Sequence, residues 1–130
     1  MNLRYYNASN FSEKLKVTVH HTGKLGFTQR TATALGFGKR ENNYIFIATD
    51  EDSEGDLYMI NCAIEDSAAF KVNKAGDYYY ANTAALFDEI GIDYKDANTT
   101  TIFDLVKVKD ETLDIYKMNK RIIKKKTDMK

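Results

Sequence analysis

Lys16-Val17-Thr18-Val19-His20-His21-Thr22-Gly23-Lys24-Leu25-Gly26-Phe27 is the stretch whose reading decides the fold. Apolar residues alternate from Leu15 to Val19, the two-residue period of a half-buried strand. Thr22-Gly23-Lys24 then reads as a turn, with Gly23 supplying the positive φ that a tight reversal requires. Leu25 and Phe27 flank Gly26 in a second, shorter extended piece. Thr28 follows as a helix N-cap and Gly36 as the C-terminal stop, so the spacing predicts a short helix over 28–36.

Further along the chain the same order returns. Residues 16–60 and 70–118 lie over each other with one small insertion. Lys16-Val17-Thr18-Val19 matches Phe70-Lys71-Val72-Asn73, Thr22-Gly23-Lys24 matches Ala75-Gly76-Asp77, and Leu35-Gly36 matches Ile90-Gly91. Tyr44-Ile45-Phe46-Ile47 matches Thr101-Ile102-Phe103-Asp104, and Leu57-Tyr58-Met59 matches Ile115-Tyr116-Lys117. A second short helix is therefore expected over 82–91, and in each half a strand, a polar hairpin loop and a further strand after the helix. Neither half is long enough to bury a core alone, so two halves packed about a pseudo-twofold are the expected solution. The expected fold class is mostly β (α+β), with one short helix per repeat. Leu15, Val17, Val19, Phe27, Leu35, Ile45, Ile47, Val72, Tyr80, Leu86, Ile90, Ile102 and Leu105 are expected in the core.

The expected domain is a single one over 1–118, with residues 1–13 as an N-terminal arm and 119–130 as a basic, disordered tail. An apolar fraction of 43%, with nine Tyr and seven Phe, suits a globular core. With no proline in the chain, every turn must be made by Gly, Asn, Asp or Ser. No apolar run approaches the roughly 18 residues of a membrane span. The opening Met1-Asn2-Leu3-Arg4-Tyr5-Tyr6 has no apolar stretch of the secretory kind, and the single Cys62 cannot close an internal disulfide, so a cytoplasmic setting is expected.

The net charge of zero conceals three segments. Residues 1–40 hold seven basic and one acidic residue, residues 41–116 five and seventeen, and residues 117–130 seven and one. Basic ends around an acidic middle suit an anionic partner at one face, or self-association in which the segments pair.

The order of strand, glycine turn, short strand, helix ending in Leu-Gly and hairpin resembles the AbrB and MazE family of swapped-hairpin half-barrels. Residues 16–27 followed by Ala34-Leu35-Gly36 carry the likeness. Thr28 stands where that family usually has proline, and this one chain would supply both halves of what is there a dimer. The resemblance implies an internally duplicated swapped-hairpin β-barrel and a DNA-binding transcriptional regulator. It implies a basic face at Lys16, Lys24, Arg30, Lys39 and Arg40, with Lys14 nearby. His20 joins these as a candidate at an anion-binding surface. The partner would be duplex DNA, and the chain a monomer (a pseudo-dimer) or a homodimer.

The alternative is a non-enzymatic protein-interaction module that docks onto an acidic protein partner through the basic tail or through Tyr78-Tyr79-Tyr80. On a strand Tyr78 and Tyr80 share one face and Tyr79 takes the other. No catalytic constellation is expected: there is no nucleophile elbow, phosphate loop or dinucleotide fingerprint. Asp50-Glu51-Asp52-Ser53-Glu54-Gly55-Asp56 opens like a calcium loop but has Asn61 where the bidentate Glu belongs, and it reads as a solvated hairpin tip. His20 and His21, adjacent on a strand, point apart and cannot share a metal ion. No cofactor and no membrane partner are expected.

Overall fold

A computed structural model describes residues 1–6, 15–52 and 55–124. Eight strands and two helices follow in the order β1 (Leu15–Val19), β2 (Leu25–Phe27), α1 (Gln29–Leu35), β3 (Asn43–Thr49), β4 (Leu57–Cys62), β5 (Phe70–Ala75), β6 (Tyr78–Ala81), α2 (Ala84–Ile90), β7 (Thr99–Lys107) and β8 (Asp114–Lys124). A 3-10 turn, Phe37–Lys39, follows α1. The strands close into a barrel in the order β1-β2-β6-β5-β3-β4-β8-β7, every pair antiparallel. Closure removes the open sheet edges that would otherwise recruit another chain.

Exchanging β1 with β5, β2 with β6, β3 with β7 and β4 with β8 leaves this circular order unchanged. The topology therefore has a two-fold, and the β2–β6 and β4–β8 ladders, each pairing a strand with its own counterpart, lie on it. The first hairpin of each half is inserted between strands of the other. β1–β2 lies between β7 and β6, and β5–β6 lies between β3 and β2.

The two-fold belongs to the topology and not to the residue matches expected from the sequence. Matching Val17 to Lys71 places an inward residue over an outward one, since Val17 is wholly buried and Lys71 exposed. Val72 is the residue of β5 that faces in. A slip of one residue exchanges the two faces of a strand, and the sequence alignment contains such a slip.

α1 starts at its threonine cap, and both helices stop at the expected glycine. The Thr28 hydroxyl accepts from the Thr31 amide at 3.2 Å, and Gly36 ends α1 in the left-handed region at φ 82°. Gly91 ends α2 in the same way at φ 79°. Thr83 departs from this pattern: its side chain makes no cap bond to α2 and donates instead to the Gly23 carbonyl at 2.8 Å. No helix among the described residues is long and apolar enough to cross a membrane.

The barrel interior holds Val17, Leu25, Phe27, Ile45, Met59 and Phe103, each almost wholly buried. Phe37 enters edge-on against Phe27, ring centroids 5.1 Å apart, and packs against Tyr79 at 5.5 Å. Phe87 of α2 packs on Phe103 at 6.3 Å.

Several expectations are corrected here. Tyr80 faces outward. Ile90 is 36% exposed and Leu86 only partly buried, while their neighbour Phe87 is 0% exposed. Cys62, half-buried, ends the outer-face row of β4 beside Tyr44. Residues 119–124 are not a tail: β8 carries them as far as Lys124, paired with β7 up to Thr99. Residues 125–130, most of the arm and Lys14 lie outside the described residues.

Candidate nucleic-acid interface

The hairpin β1–β2 turns on two backbone bonds: His20 N–H to Lys24 O at 2.9 Å, and Gly23 N–H to His20 O at 2.8 Å. Because Val17, Val19, Leu25 and Phe27 face the interior, Lys16, Thr18 and Gly26 face outward, with His20 and Lys24 flanking the turn. The same alternation places Tyr78 and Tyr80 of β6, and Lys71, Asn73 and Ala75 of β5, on the outside. These four strands are adjacent in the barrel. Their outward positions hold lysines and a flanking histidine and no carboxylate.

The centre of this face depends on Gly26. A Cβ there would collide with the Tyr78 hydroxyl and with His20 Nε2. Its absence lets the Tyr78 ring lie across β2, where its hydroxyl hydrogen-bonds to His20 Nε2 and the two rings meet edge-on, centroids 5.5 Å apart. Tyr80 stacks on Tyr78 with centroids 6.4 Å apart and planes 19° apart, and the Lys24 ammonium sits 4.6 Å from the Tyr80 centroid. Tyr79 turns inward onto Phe37, so the tyrosine run divides between faces as alternation predicts.

Burial lowers the His20 pKa from its ordinary value, and the nearby His21 and Lys24 charges add to the effect. The folded chain thus takes up this proton less readily than the unfolded chain. Stability contributed by His20 is present above the ordinary histidine value of about 6.5 and is lost as the pH falls from there through the lowered folded value. Urea unfolding measured from pH 8 to pH 5 should show this decline, and His20→Gln should flatten it. An identical profile in the variant would exclude His20 as the titrating group.

The expected basic residues divide in the structure. Lys16, His20 and Lys24 come together on the face. Lys16 is opposite Asp104 in the β1–β7 register, and Arg121 grips that carboxylate with two bonds of 2.6 and 3.1 Å. Arg30 is on the exposed side of α1, and Lys39 is exposed in the 3-10 turn. Arg40 is a structural residue. Its Nε donates to Asn43 Oδ1 at 2.9 Å, and its Nη2 donates to the Leu35 carbonyl at 3.2 Å and to Asn61 Oδ1 at 3.1 Å. With Asn61 Nδ2 donating to the same Leu35 carbonyl at 2.8 Å, the guanidinium clamps the end of α1 to β3 and β4.

Lys71 and Lys74 are not among the basic residues expected at the face from the sequence. Both border a groove of about 340 Å³ between β5 and the segment after α1, along with Arg40, Asn42, Asn73 and the single acid Glu41. Barrel closure brings β5 beside β3, which no local pattern announces. Among the described residues, no group of three His, Cys, Asp or Glu side chains is placed to hold a metal ion. No protein-family model matches the chain, and neither does any curated protein or solved structure.

Proposed function

We propose that this chain binds duplex DNA through the outer face of β1, β2, β6 and β5, as a regulator of the AbrB-like type would. The observation that carries the reading is the charge of that face: Lys16, Lys24, Lys71 and His20 with no carboxylate at the outward strand positions. Lysines held on strands neutralise phosphates and position a duplex without reading its sequence. The groove beside Lys71 and Lys74 continues the same basic surface. In this reading the chain acts by binding and not by catalysis.

The test is retention on duplex DNA at about 50 mM salt and its loss by about 200 mM, over which several phosphate contacts cost orders of magnitude in affinity. Reversing Lys24 and Lys71 to Glu together should weaken binding more than about tenfold at low salt and leave the circular dichroism spectrum unchanged. Deleting residues 125–130, which include Lys125, Lys126 and Lys130, should weaken it only modestly if the strand face carries the binding. If the deletion eliminates binding and the reversals do nothing, the face has no part in it. A protein-interaction module is the second reading, favoured by Phe46, Ile60 and Ile115, which the register sets side by side on the outer face of β3, β4 and β8.

A further inference from the structure

We infer that the cavity between the end of α2 and the start of β4 binds a small molecule made of an apolar body and one carboxylate. The cavity measures about 450 Å³, within the range of small-ligand sites. Its floor is Leu57, Ile92, Phe103 and Met118, each less than a tenth exposed, and Ile90 forms its lip. It lies across the barrel from the basic face and does not depend on the nucleic-acid reading.

The two-fold of the barrel explains why this space is open. Val72 pairs with Asn43, Ile45 pairs with Asn61, and Asn61 pairs with Asp114. In the other half Val17 pairs with Phe103, Leu105 pairs with Met118, and Met118 pairs with Leu57. Asn43, Asn61 and Asp114 are therefore the counterparts of Phe103, Met118 and Leu57. The first set is closed by the chain itself. Asn61 donates to Asp114 at 2.9 Å, and the Arg40 guanidinium donates to Asn43 and Asn61 at the end of α1. The second set has no side-chain acceptor to draw an arginine in. The residue after each helix differs in the same sense. Phe37 follows Gly36 and enters the barrel against Phe27, whereas the smaller Ile92 follows Gly91. The second half thus leaves open the space that the clamp and Phe37 fill in the first.

The lining selects the occupant. A floor of buried apolar side chains takes hydrocarbon, because the water it displaces gains nothing from that surface. Two residues beyond Met118, Lys120 stands opposite Phe103 in the β7–β8 register and continues the inward row of β8 to the mouth of the cavity. Asp56, the one acid of the lining, is already paired with Lys117 at 3.6 Å. No ion pair engages Lys120 among the described residues. One unanswered ammonium above an apolar floor matches the single charge of a carboxylate, which accepts a charge-assisted hydrogen bond from it. A phosphate brings nearly two charges, and the second would meet the Asp56 carboxylate instead of a cation.

The test is isothermal titration calorimetry of the full chain with hexanoate, octanoate and decanoate, and with 1-octanol as the neutral control. The expected result is saturable binding of one molecule per chain that tightens about fourfold for each added methylene. Octanol should bind about tenfold more weakly than octanoate. Lys120→Gln should weaken octanoate by about the same factor and leave octanol unchanged. Ile92→Phe, which gives the second half the ring that Phe37 gives the first, should abolish binding of both. Lys120 is exposed, so its variant keeps the fold, and circular dichroism checks this for each variant. Absence of saturable octanoate and decanoate binding overturns the inference, as does octanoate binding that either variant leaves unchanged. Octanol that binds as tightly as octanoate overturns the assignment of a carboxylate. Loss of DNA binding in the Lys24 and Lys71 variants has no bearing on any of these results.

Discussion

Replacing Phe87 with Ala should cost about 3–5 kcal/mol of folding stability, the range for deleting a buried aromatic ring. Phe87 is 0% exposed and is the one residue of α2 that is buried, with its ring on Phe103 inside the barrel. The helix has seven residues, too few to form stably in water on its own, so α2 is held in place by what it buries. Losing the ring removes that anchor and leaves a cavity that the closed barrel cannot collapse to fill. For a domain whose whole stability is about 5–15 kcal/mol, this is a large fraction. Ile90→Ala is the control. At 36% exposed, Ile90 should cost under about 1 kcal/mol despite lying three residues away on the same helix. Urea midpoints of the two variants give the comparison, and equal losses would mean that Phe87 does not anchor the helix.

The sequence predicts the wrong face of α2, and the reason is physical. Ala84-Ala85-Leu86-Phe87 is apolar at every position, and two turns give too few repeats for a 3.6-residue period to choose among them. Both ends of α1 and the stop of α2 were legible because a cap and a stop act within one residue: Thr28, Gly36 and Gly91 all do what their types predict. Strand positions were legible for the same local reason. Their pairing was not, since inserting β1–β2 between β7 and β6 is a choice among remote partners. The basic tail was misread because Lys120-Arg121-Ile122-Ile123-Lys124 has no inward apolar row of its own, and its strand geometry comes from ladder bonds to β7.

The candidate face divides along the same line. Lys16 and Lys24 were legible as neighbours because a tight turn joins their strands. Lys71 and Lys74 join that surface only through barrel closure. Arg40 was misassigned because its role as a clamp depends on Asn43 and Asn61, one of them on a different hairpin strand. The part of Gly26 was invisible in the sequence. Only a crossing ring from Tyr78, 52 residues later in the chain, shows why a side chain is absent there.

Gly23→Ala should be the most damaging single-methyl change in the chain. The residue sits at φ +87°, where an L side chain costs about 1–2 kcal/mol. A methyl group there would also stand 2.5 Å from Ala84 Cβ and 2.8 Å from Ala84 Cα. The second contact is with backbone and cannot be relieved by a rotamer, which adds about 1–3 kcal/mol of overpacking. The Gly23 carbonyl holds the Thr83 hydroxyl at 2.8 Å, so moving the turn away from Ala84 also strips the buried Thr83 of its acceptor. An expected loss of about 2–5 kcal/mol follows from the strain and overpacking together. Gly76→Ala separates the two effects. Gly76 closes the corresponding turn of the second half at φ +63° with nothing within 4 Å of a new methyl, so it should show the conformational strain alone. The excess of Gly23→Ala over Gly76→Ala measures how tightly the first hairpin is pressed against the start of α2. A negligible excess would mean that the two halves are joined by their ladders alone and that the Thr83–Gly23 contact contributes nothing to holding them together.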